Sequence, residues 1–326
     1  MVGVVNGIDS ILLFTLVVTP FFGAIVLAFF PADKHDLIHW YSRIIATTGL
    51  VIAAYLFVMF DTSADLSKYT VDYDWLPSLG IRFTLGLSGI TVPLLLLNAV
   101  IFFGGVLISW NVTHRPKDFF VWLMLLVAGV YGVFASQDLF FLFFFYELAV
   151  LPMYLLIGVW GTSSDFGTFI RTKEYGAMKL MMYLVAGSVL IWIAILAIFV
   201  EAGLGTFSIL ELEKVSFSTT FQRLFFPFLM VGFGVLAGMW PFHTWSPDGH
   251  VAAPTAVSMV HAGVLMKLGV FGIIRLGLQL MPDGAEDWMP VLIGLGTVNV
   301  LYGAWSAMGQ HDLKYVVGYS RVSHMG

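Results

Sequence analysis

Long apolar runs constrain the fold of this chain more than any other feature of its sequence. A helix needs roughly 20 residues to cross about 30 Å of hydrocarbon. Because backbone groups in lipid must be hydrogen-bonded within the segment, we expect each run of this length to be a helix. The predicted spans are residues 10–30, 38–60, 88–110, 119–135, 138–160, 175–200, 224–240, 255–281 and 288–308, with an unfinished one from about 314.

The composition agrees with an all-α, polytopic integral membrane bundle. Of 326 residues, 59% are hydrophobic and 11% are charged, and the mean hydropathy is +0.92, more apolar than a soluble domain. The net charge of -5 is spread over the loops, which argues against nucleic acid as a partner. The absence of cysteine excludes disulfides and thiolate-held iron–sulfur clusters. No basic segment precedes the first run, so we interpret it as a retained span.

The loop charges predict an orientation with the N-terminus outside. Inner loops then hold more lysine and arginine than outer loops, as the positive-inside rule requires. The longest loop, Asp61 to Ser88, is acidic and is expected to be a solvated outer linker. The inner residues are Lys34, Arg43, Arg115, Lys117, Arg171, Lys173, Lys314 and Arg321, and the outer ones are Lys68, Arg82, Lys214, Arg223 and Arg275.

Three charged residues fall inside predicted spans, namely Glu147, Lys179 and Lys267. A charge near the bilayer centre costs about 2.5–3.5 kcal/mol on insertion scales, so it usually has a partner, a water-filled cavity or a function. They could pair to hold helices together, and Lys179 could instead extend to the interface. His261 precedes Lys267 by six residues, which at about 100° per residue places the two on neighbouring faces of one helix.

A functional interpretation of these residues is a proton relay. Burial moves the titration of carboxylates and amines toward neutral pH, where histidine already titrates. Intramembrane Glu, Lys and His are the residues with which pumps and transporters move protons.

A second group of polar residues lies in "MWPFHTWSPDGHVAAPT", residues 239–255. Its three prolines predict a broken helix, which is tolerated at membrane depth only beside a cavity or inside protein. An ordinary loop between spans is the alternative. A metal site is a third interpretation, although the spacing matches no strong zinc pattern. The residues concerned are Pro241, Pro247, Pro254, His243, Asp248 and His250.

Four blocks of the sequence resemble the antiporter-like membrane subunits of respiratory complex I, of the NADH-quinone oxidoreductase chain M or mitochondrial subunit 4 type. They occur in the same order over about 180 residues. The blocks are "LFFFYELAVLPMYLLIGVWG", "KLMMYLVAGSVL", "WPFHTWSPDGHVAAPTAVSMVHAGVLMKLGVFGIIR" and "GQHDLKYVVGYSRVSHMG".

The resemblance implies two inverted repeats of five helices, each with one broken helix. It gives N-terminal spans in residues 1–118, a first repeat in 119–281 and the start of a second in 282–326. It implies a proton-translocating subunit of the inner (plasma) membrane that holds no cofactor, next to other membrane subunits and, through them, a peripheral redox arm that reduces quinone. The titratable chain falls on Glu147, Lys179, Lys267 and His324, with His261 as a further member.

Three features depart from the family pattern. A lysine expected four residues before Trp240 is replaced by Leu236, so Lys267 or Lys179 is left as the partner of Glu147. His261 stands where many chain M sequences have another residue. The chain also stops within the predicted tenth span, which leaves the second repeat incomplete, and we expect a fragment because a half-span leaves polar backbone in lipid.

Three alternatives remain at the level of sequence. A subunit of an Mrp-type sodium/proton antiporter and one of an energy-converting hydrogenase share the fold that the resemblance implies. A cytochrome b-like redox protein would hold haem between His261 and His324, since haem needs axial ligands from facing helices. No G-x-G-x-x-G or P-loop pattern occurs, so NADH is not expected to bind here.

Overall fold

The computed structural model describes residues 4–5, 7–61, 69–165 and 170–326. Within these ranges, nine helices or helix pairs are long and apolar enough to cross a membrane, which confirms the nine complete predicted spans. The chain is therefore a multi-pass membrane protein. The helices are α1 Ile8–Ala28, α2 His35–Met59, α3 Thr91–Ile108, α4 Pro116–Ala135, α5 Leu139–Trp160, α6 Lys173–Ala202, α7 Ile209–Leu212, α8 Thr219–Ala237, α9 Trp245–Ala252, α10 Thr255–Val260, α11 Met266–Gly272, α12 Pro282–Met308 and α13 Leu313–Met325.

The chain divides into two compact units. The first comprises Met1–Leu156, Thr206–Leu210 and Thr255–Val264, and the second comprises Ile157–Gly205, Glu211–Pro254 and Leu265–Gly326. This grouping does not test the repeats predicted from the sequence, since repeats are defined by internal symmetry. The division at residues 118 and 281 stays a prediction.

The first unit contains a small sheet where the sequence was interpreted as an acidic linker. Strands β1 Val4–Val5, β2 Val71–Leu76 and β3 Ile81–Leu85 pair antiparallel in that order. Asp72 on β2 accepts a hydrogen bond from the hydroxyl of Thr84 at 2.9 Å and pairs with Arg82. The prediction of a linker was wrong here, because residues 71–85 form a hydrogen-bonded hairpin, although residues 73–79 at its turn are exposed. Asp65 and Lys68 lie outside the described residues.

The second unit is built on close helix crossings at glycine. A Cβ atom on Gly187 of α6 would lie 2.9 Å from the carbonyl oxygen of Gly232 on α8, and one on Gly232 would lie 2.6 Å from Cγ1 of Ile191. Small residues let membrane helices approach this closely, so that van der Waals packing can hold them together. Helix α8 also packs against α11 and α12, and α13 packs against α12 and α9.

Candidate ion-translocation site

The seventh span is interrupted, as the proline-rich block predicted. Helix α8 is followed by Gly238, whose φ of 73° is left-handed, the conformation glycine commonly adopts after a helix C-terminus. The amides of Gly238 and Met239 donate to the carbonyls of Val235 (3.1 Å) and Gly234 (2.8 Å). The indole of Trp245 also donates to the carbonyl of Val235, at 2.9 Å. The backbone carbonyls left free where α8 ends are therefore hydrogen-bonded by groups of the protein itself, as a break at membrane depth requires.

Asn299 of α12 fastens the break to two neighbouring segments. Its side chain is fully buried, and its Oδ1 accepts a hydrogen bond from the amide of Trp240 at 2.8 Å. Its Nδ2 donates to the carbonyls of Gly238 (3.4 Å) and Val322 (3.1 Å). A single amide thus ties the interrupted segment to α12 and α13, which gives the break a defined geometry.

The second half of the span is a helix rather than a loop. After a 3₁₀ turn at Phe242–Thr244, α9 runs through Asp248 and His250, both of which the sequence had placed in a broken-helix loop. Pro247 does not interrupt it, because the first turn of a helix has no intrahelical partner for its amides. Of the three prolines, Pro241 and Pro254 lie between helical segments.

Asp248 is the centre of a charged cluster within the second unit. Nζ of Lys179 on α6 lies 2.8 Å from its Oδ2, and the guanidinium of Arg171 donates to its Oδ1. The hydroxyl of Tyr315 on α13 lies 3.3 Å from the same Oδ1. The side chains of Asp248 and Lys179 are 6% and 17% exposed, against 39% for Arg171. Lys179 therefore forms an ion pair that is largely shielded from solvent.

The cluster contains one more cation than anion. With all three groups ionised, one carboxylate faces two cations, Lys179 and Arg171. If Lys179 loses its proton, Asp248 still has Arg171 as counter-ion, because an arginine side chain keeps its charge in proteins. The site can therefore change its charge by one without leaving a buried carboxylate unpaired, the arrangement that costs most in a low-dielectric interior.

Glu147 lies in the first unit, half-buried on α5. A Cβ atom placed on Gly129 of α4 would lie 2.8 Å from the carbonyl oxygen of Phe145 and 2.9 Å from Cβ of Ala149. The side of α5 that carries Phe145 and Ala149 therefore packs on α4. At about 100° per residue, Glu147 is on the opposite side of α5. Pro152 removes the amide that would bond to the carbonyl of Leu148, directly beside the acid.

His261 and Lys267 follow α9 in a helix whose winding is irregular. A π-helical turn at His261–Leu265 separates α10 from α11, and a second one follows at Ile273–Leu278. A π turn contains more residues than an α turn, so the angle assumed from 100° per residue does not hold here. His261 is fully buried in the first unit, and Lys267 is half-buried in the second.

The remaining candidates have different surroundings. His243 is buried and its ring meets Tyr302 edge-on, with centroids 4.8 Å apart. His250 is buried in α9, whereas Pro241 and His324 are exposed. Among the described residues, no three His, Asp or Glu side chains cluster as a metal site would require.

Sequence reasoning missed three members of this site. Asn299 carried a readable signal, since a lone amide in the apolar run "VLIGLGTVNVLYG" needs partners in lipid. Arg171 and Tyr315 carried none, because each lies in an ordinary polar stretch near a predicted loop. Their role follows only from the packing of α13 and of the short strand Ile170–Arg171 around Asp248.

A helical membrane bundle with an interrupted span and a buried ion pair beside the interruption has the features of a membrane ion transporter. Residues 136–326 match the family described as NADH:quinone oxidoreductase/Mrp antiporter, TM. The chain belongs to this family, which confirms the resemblance seen in the four sequence blocks.

Similar proteins agree in fold and sequence. NAD(P)H-quinone oxidoreductase chain 4-2 of Synechocystis sp. is 34% identical over 96% of this chain and 55% of its own length. A chain of respiratory complex I from Thermus thermophilus with bound NADH has a TM-score of 0.84 at 24% identity, covering 96% of this chain and 62% of that one. A chain of the archaeal membrane-bound sulfane sulfur reductase has a TM-score of 0.81 at 22% identity, covering 97% of this chain and 63% of that one. This chain spans just over half the length of the curated relatives it matches.

Proposed function

We propose that this chain is a proton-translocating membrane subunit of an NADH-quinone oxidoreductase (complex I) in the bacterial plasma (inner) membrane. Electron transfer would occur in a peripheral arm, coupled to this chain through neighbouring membrane subunits. The observation that carries the proposal is the largely buried ion pair between Lys179 on α6 and Asp248 on the broken span, in a chain of this family.

The proposed mechanism is electrostatic. A change of charge in a neighbouring subunit alters the field at the ion pair, and Lys179 releases or takes up a proton while Arg171 balances Asp248. Glu147, His261 and Lys267 are further proposed members of the path, because each is a titratable group held inside an apolar span. The ends of α8 and α9 at the break provide dipoles that respond to the same field.

The family also contains Mrp antiporters, which makes sodium the competing ion. The cluster favours the proton, because a sodium ion approaching Asp248 would meet Lys179 and Arg171, and like charges at such distances repel. A proton does not have to approach the carboxylate as a separate cation, since it can move within the existing Lys179–Asp248 hydrogen bond of 2.8 Å.

The test uses the assembled complex in sealed membrane vesicles. Lys179→Ala should lower proton pumping per electron and leave unchanged the rate at which the peripheral arm passes electrons from NADH to an artificial acceptor. The matched control is Lys214→Ala, which removes an exposed lysine. Unchanged pumping in Lys179→Ala contradicts the proposal, and pumping that requires sodium in the buffer points to the Mrp alternative.

A further inference from the structure

An open polar cleft lies at the loop end of the second unit. Its volume is about 700 Å³, and it is lined by residues 162–165 after α5, residues 309–312 before α13, Val251 and Lys314. The ammonium of Lys314 donates to the carbonyl of Val251 at 3.3 Å, near the C-terminus of α9, where a cation is favoured. By the predicted orientation, this cleft opens on the inner side of the membrane.

A narrow pocket continues from the cleft to Asp248. The pocket and the cleft share Thr162, Ser164 and Val251, and the pocket is also lined by Ala252 and Asp248. Its water-accessible volume is about 10 Å³, at the lower limit for holding one water molecule. The carboxylate is thus next to a solvent-filled space but separated from it by a passage too small for a chain of waters.

Arg171 and Tyr315 line this narrow pocket and close it around Asp248. The guanidinium donates to the Tyr315 hydroxyl at 3.2 Å, and the hydroxyl lies 3.3 Å from Asp248 Oδ1. The guanidinium carbon lies 5.7 Å from the centre of the tyrosine ring. Tyr315 is 3% exposed, whereas the Arg171 side chain is 39% exposed, so the arginine faces solvent and the tyrosine lies behind it.

We propose that Arg171 and Tyr315 form a gate that controls the access of water from this cleft to the Lys179–Asp248 pair. The inference rests on the proposed function and adds to it a route for proton uptake. Arg171 is the more exposed of the two cations on Asp248, and Lys179 remains as a counter-ion, so Arg171 can swing into the cleft without leaving the carboxylate unpaired. Lys179 is more deeply buried and stays on Asp248. Opening the gate lets water enter beside the carboxylate, and a proton can then pass between this water and Lys179 through the Lys179–Asp248 hydrogen bond.

The chain has no cysteine, which permits a direct test by thiol accessibility in inside-out vesicles of the assembled complex. Ala252→Cys places a thiol in the narrow pocket, and Ser163→Cys places one in the open cleft. With a small charged methanethiosulfonate reagent, the thiol at position 252 should react more slowly than that at 163. Adding Arg171→Ala or Tyr315→Ala should raise the rate at 252 roughly five- to tenfold, the factor expected for losing one such hydrogen bond, and leave the rate at 163 unchanged.

Tyr319→Ala is the matched control, because Tyr319 lies one turn further along α13 and its hydroxyl forms no hydrogen bond with Asp248 among the described residues. It should leave the rate at position 252 unchanged. Equal rates at 252 and 163 in the otherwise unaltered chain overturn the gate. Rates at 252 that do not rise in Arg171→Ala and Tyr315→Ala overturn it as well.

The accessibility measurement does not depend on pumping. If Lys179→Ala leaves pumping intact while the gate variants open the pocket, the proposed function fails and the gate stands. If Lys179→Ala abolishes pumping while accessibility never changes, the function stands and the gate fails. Tyr315→Phe separates the hydroxyl from the ring: it should raise the rate at 252, because it removes the hydroxyl that bridges Arg171 and Asp248.

Discussion

Nζ of Lys179 lies 2.8 Å from Oδ2 of Asp248 and joins two helices whose residues are 69 positions apart. Both residues belong to apolar spans, and the pair is largely shielded from solvent. The guanidinium of Arg171 donates a hydrogen bond to the other carboxylate oxygen, Oδ1. The cluster therefore contains two cations and one anion, and this imbalance decides how substitutions should affect it.

Asp248→Asn should destabilise the protein more than Lys179→Met. The first leaves Lys179 and Arg171 facing each other without an anion, and removing one partner of a buried pair costs about 3–5 kcal/mol. The second leaves Asp248 paired with Arg171, so the loss should be clearly smaller. Thermal unfolding of the solubilised complex measures both. Asp287→Asn, which breaks a surface pair with Arg223, is the control and should change little. Equal losses for the first two variants would contradict the charge balance.

Asn299→Leu should loosen the break in the seventh span. It leaves the amide of Trp240 and the carbonyls of Gly238 and Val322 without their side-chain partner, and an unsatisfied buried group costs about 1–3 kcal/mol. Hydrogen exchange of the Trp240 amide should accelerate about tenfold or more, since 1.4 kcal/mol corresponds to that factor. Asn111→Leu, at an exposed position, should leave this amide unchanged. Unchanged exchange in Asn299→Leu shows that another group holds the break.

The spans could be predicted from sequence because one physical demand, burial of backbone in lipid, fixes both the length and the composition of each run. The hairpin at residues 71–85 was missed although "VDYDWLPSLGIRFTL" alternates on either side of a turn signal. Its acidic residues suggested an irregular, solvent-exposed segment, whereas Asp72 forms an ion pair with Arg82 on the neighbouring strand.

The site was predictable in only some of its members, and its pairing was not predictable. Lys179 and Asp248 were both identified as candidates, yet their contact depends on how α6 packs on α9, which no local pattern encodes. The π turn at His261 has no sequence signal that distinguishes it from an α-helix. Glu147 is identified by its burial alone, and its partner remains a prediction.

Gly187→Ala should destabilise the second unit at the crossing of α6 and α8. The added methyl group would lie 2.9 Å from the carbonyl oxygen of Gly232, and overpacking of this kind costs about 1–3 kcal/mol. Gly294→Ala is the matched control, because no atom lies within 4 Å of a Cβ placed there and alanine favours a helix by roughly 0.5–1 kcal/mol over glycine. The two changes should shift the unfolding temperature in opposite directions. A stabilising effect of Gly187→Ala contradicts the close crossing.

Asp138, before α5, should make stability depend on pH. Burial raises its pKa from 3.8 to about 6, even though the amides of Phe140 (2.9 Å), Phe141 (3.1 Å) and Arg82 (3.2 Å) donate to its carboxylate. The folded state then binds the proton more tightly than the unfolded state, so stability falls as pH rises from about 4 to about 6, by on the order of 3 kcal/mol. Below and above this range the contribution is constant.

Asp138→Asn isolates this contribution, because asparagine keeps an oxygen for the amides at the start of α5 but does not titrate. The difference in unfolding temperature between the unaltered chain and the variant should therefore change between pH 4 and pH 6. A difference that stays constant with pH would show that Asp138 titrates alike in the folded and unfolded chain.

Glu147→Gln should lower proton pumping in the assembled complex and leave assembly and peripheral electron transfer intact. Glutamine matches the size of the acid and avoids the cost of a charge in the span, about 2.5–3.5 kcal/mol on insertion scales, so the fold should not suffer. Glu201→Gln, at an exposed position near the end of α6, is the control for the same chemical change. Combining Glu147→Gln with Lys267→Ala tests whether Lys267 is its functional partner: a double variant that pumps no worse than Glu147→Gln alone places both in one step of the path, whereas additive losses place them in separate steps.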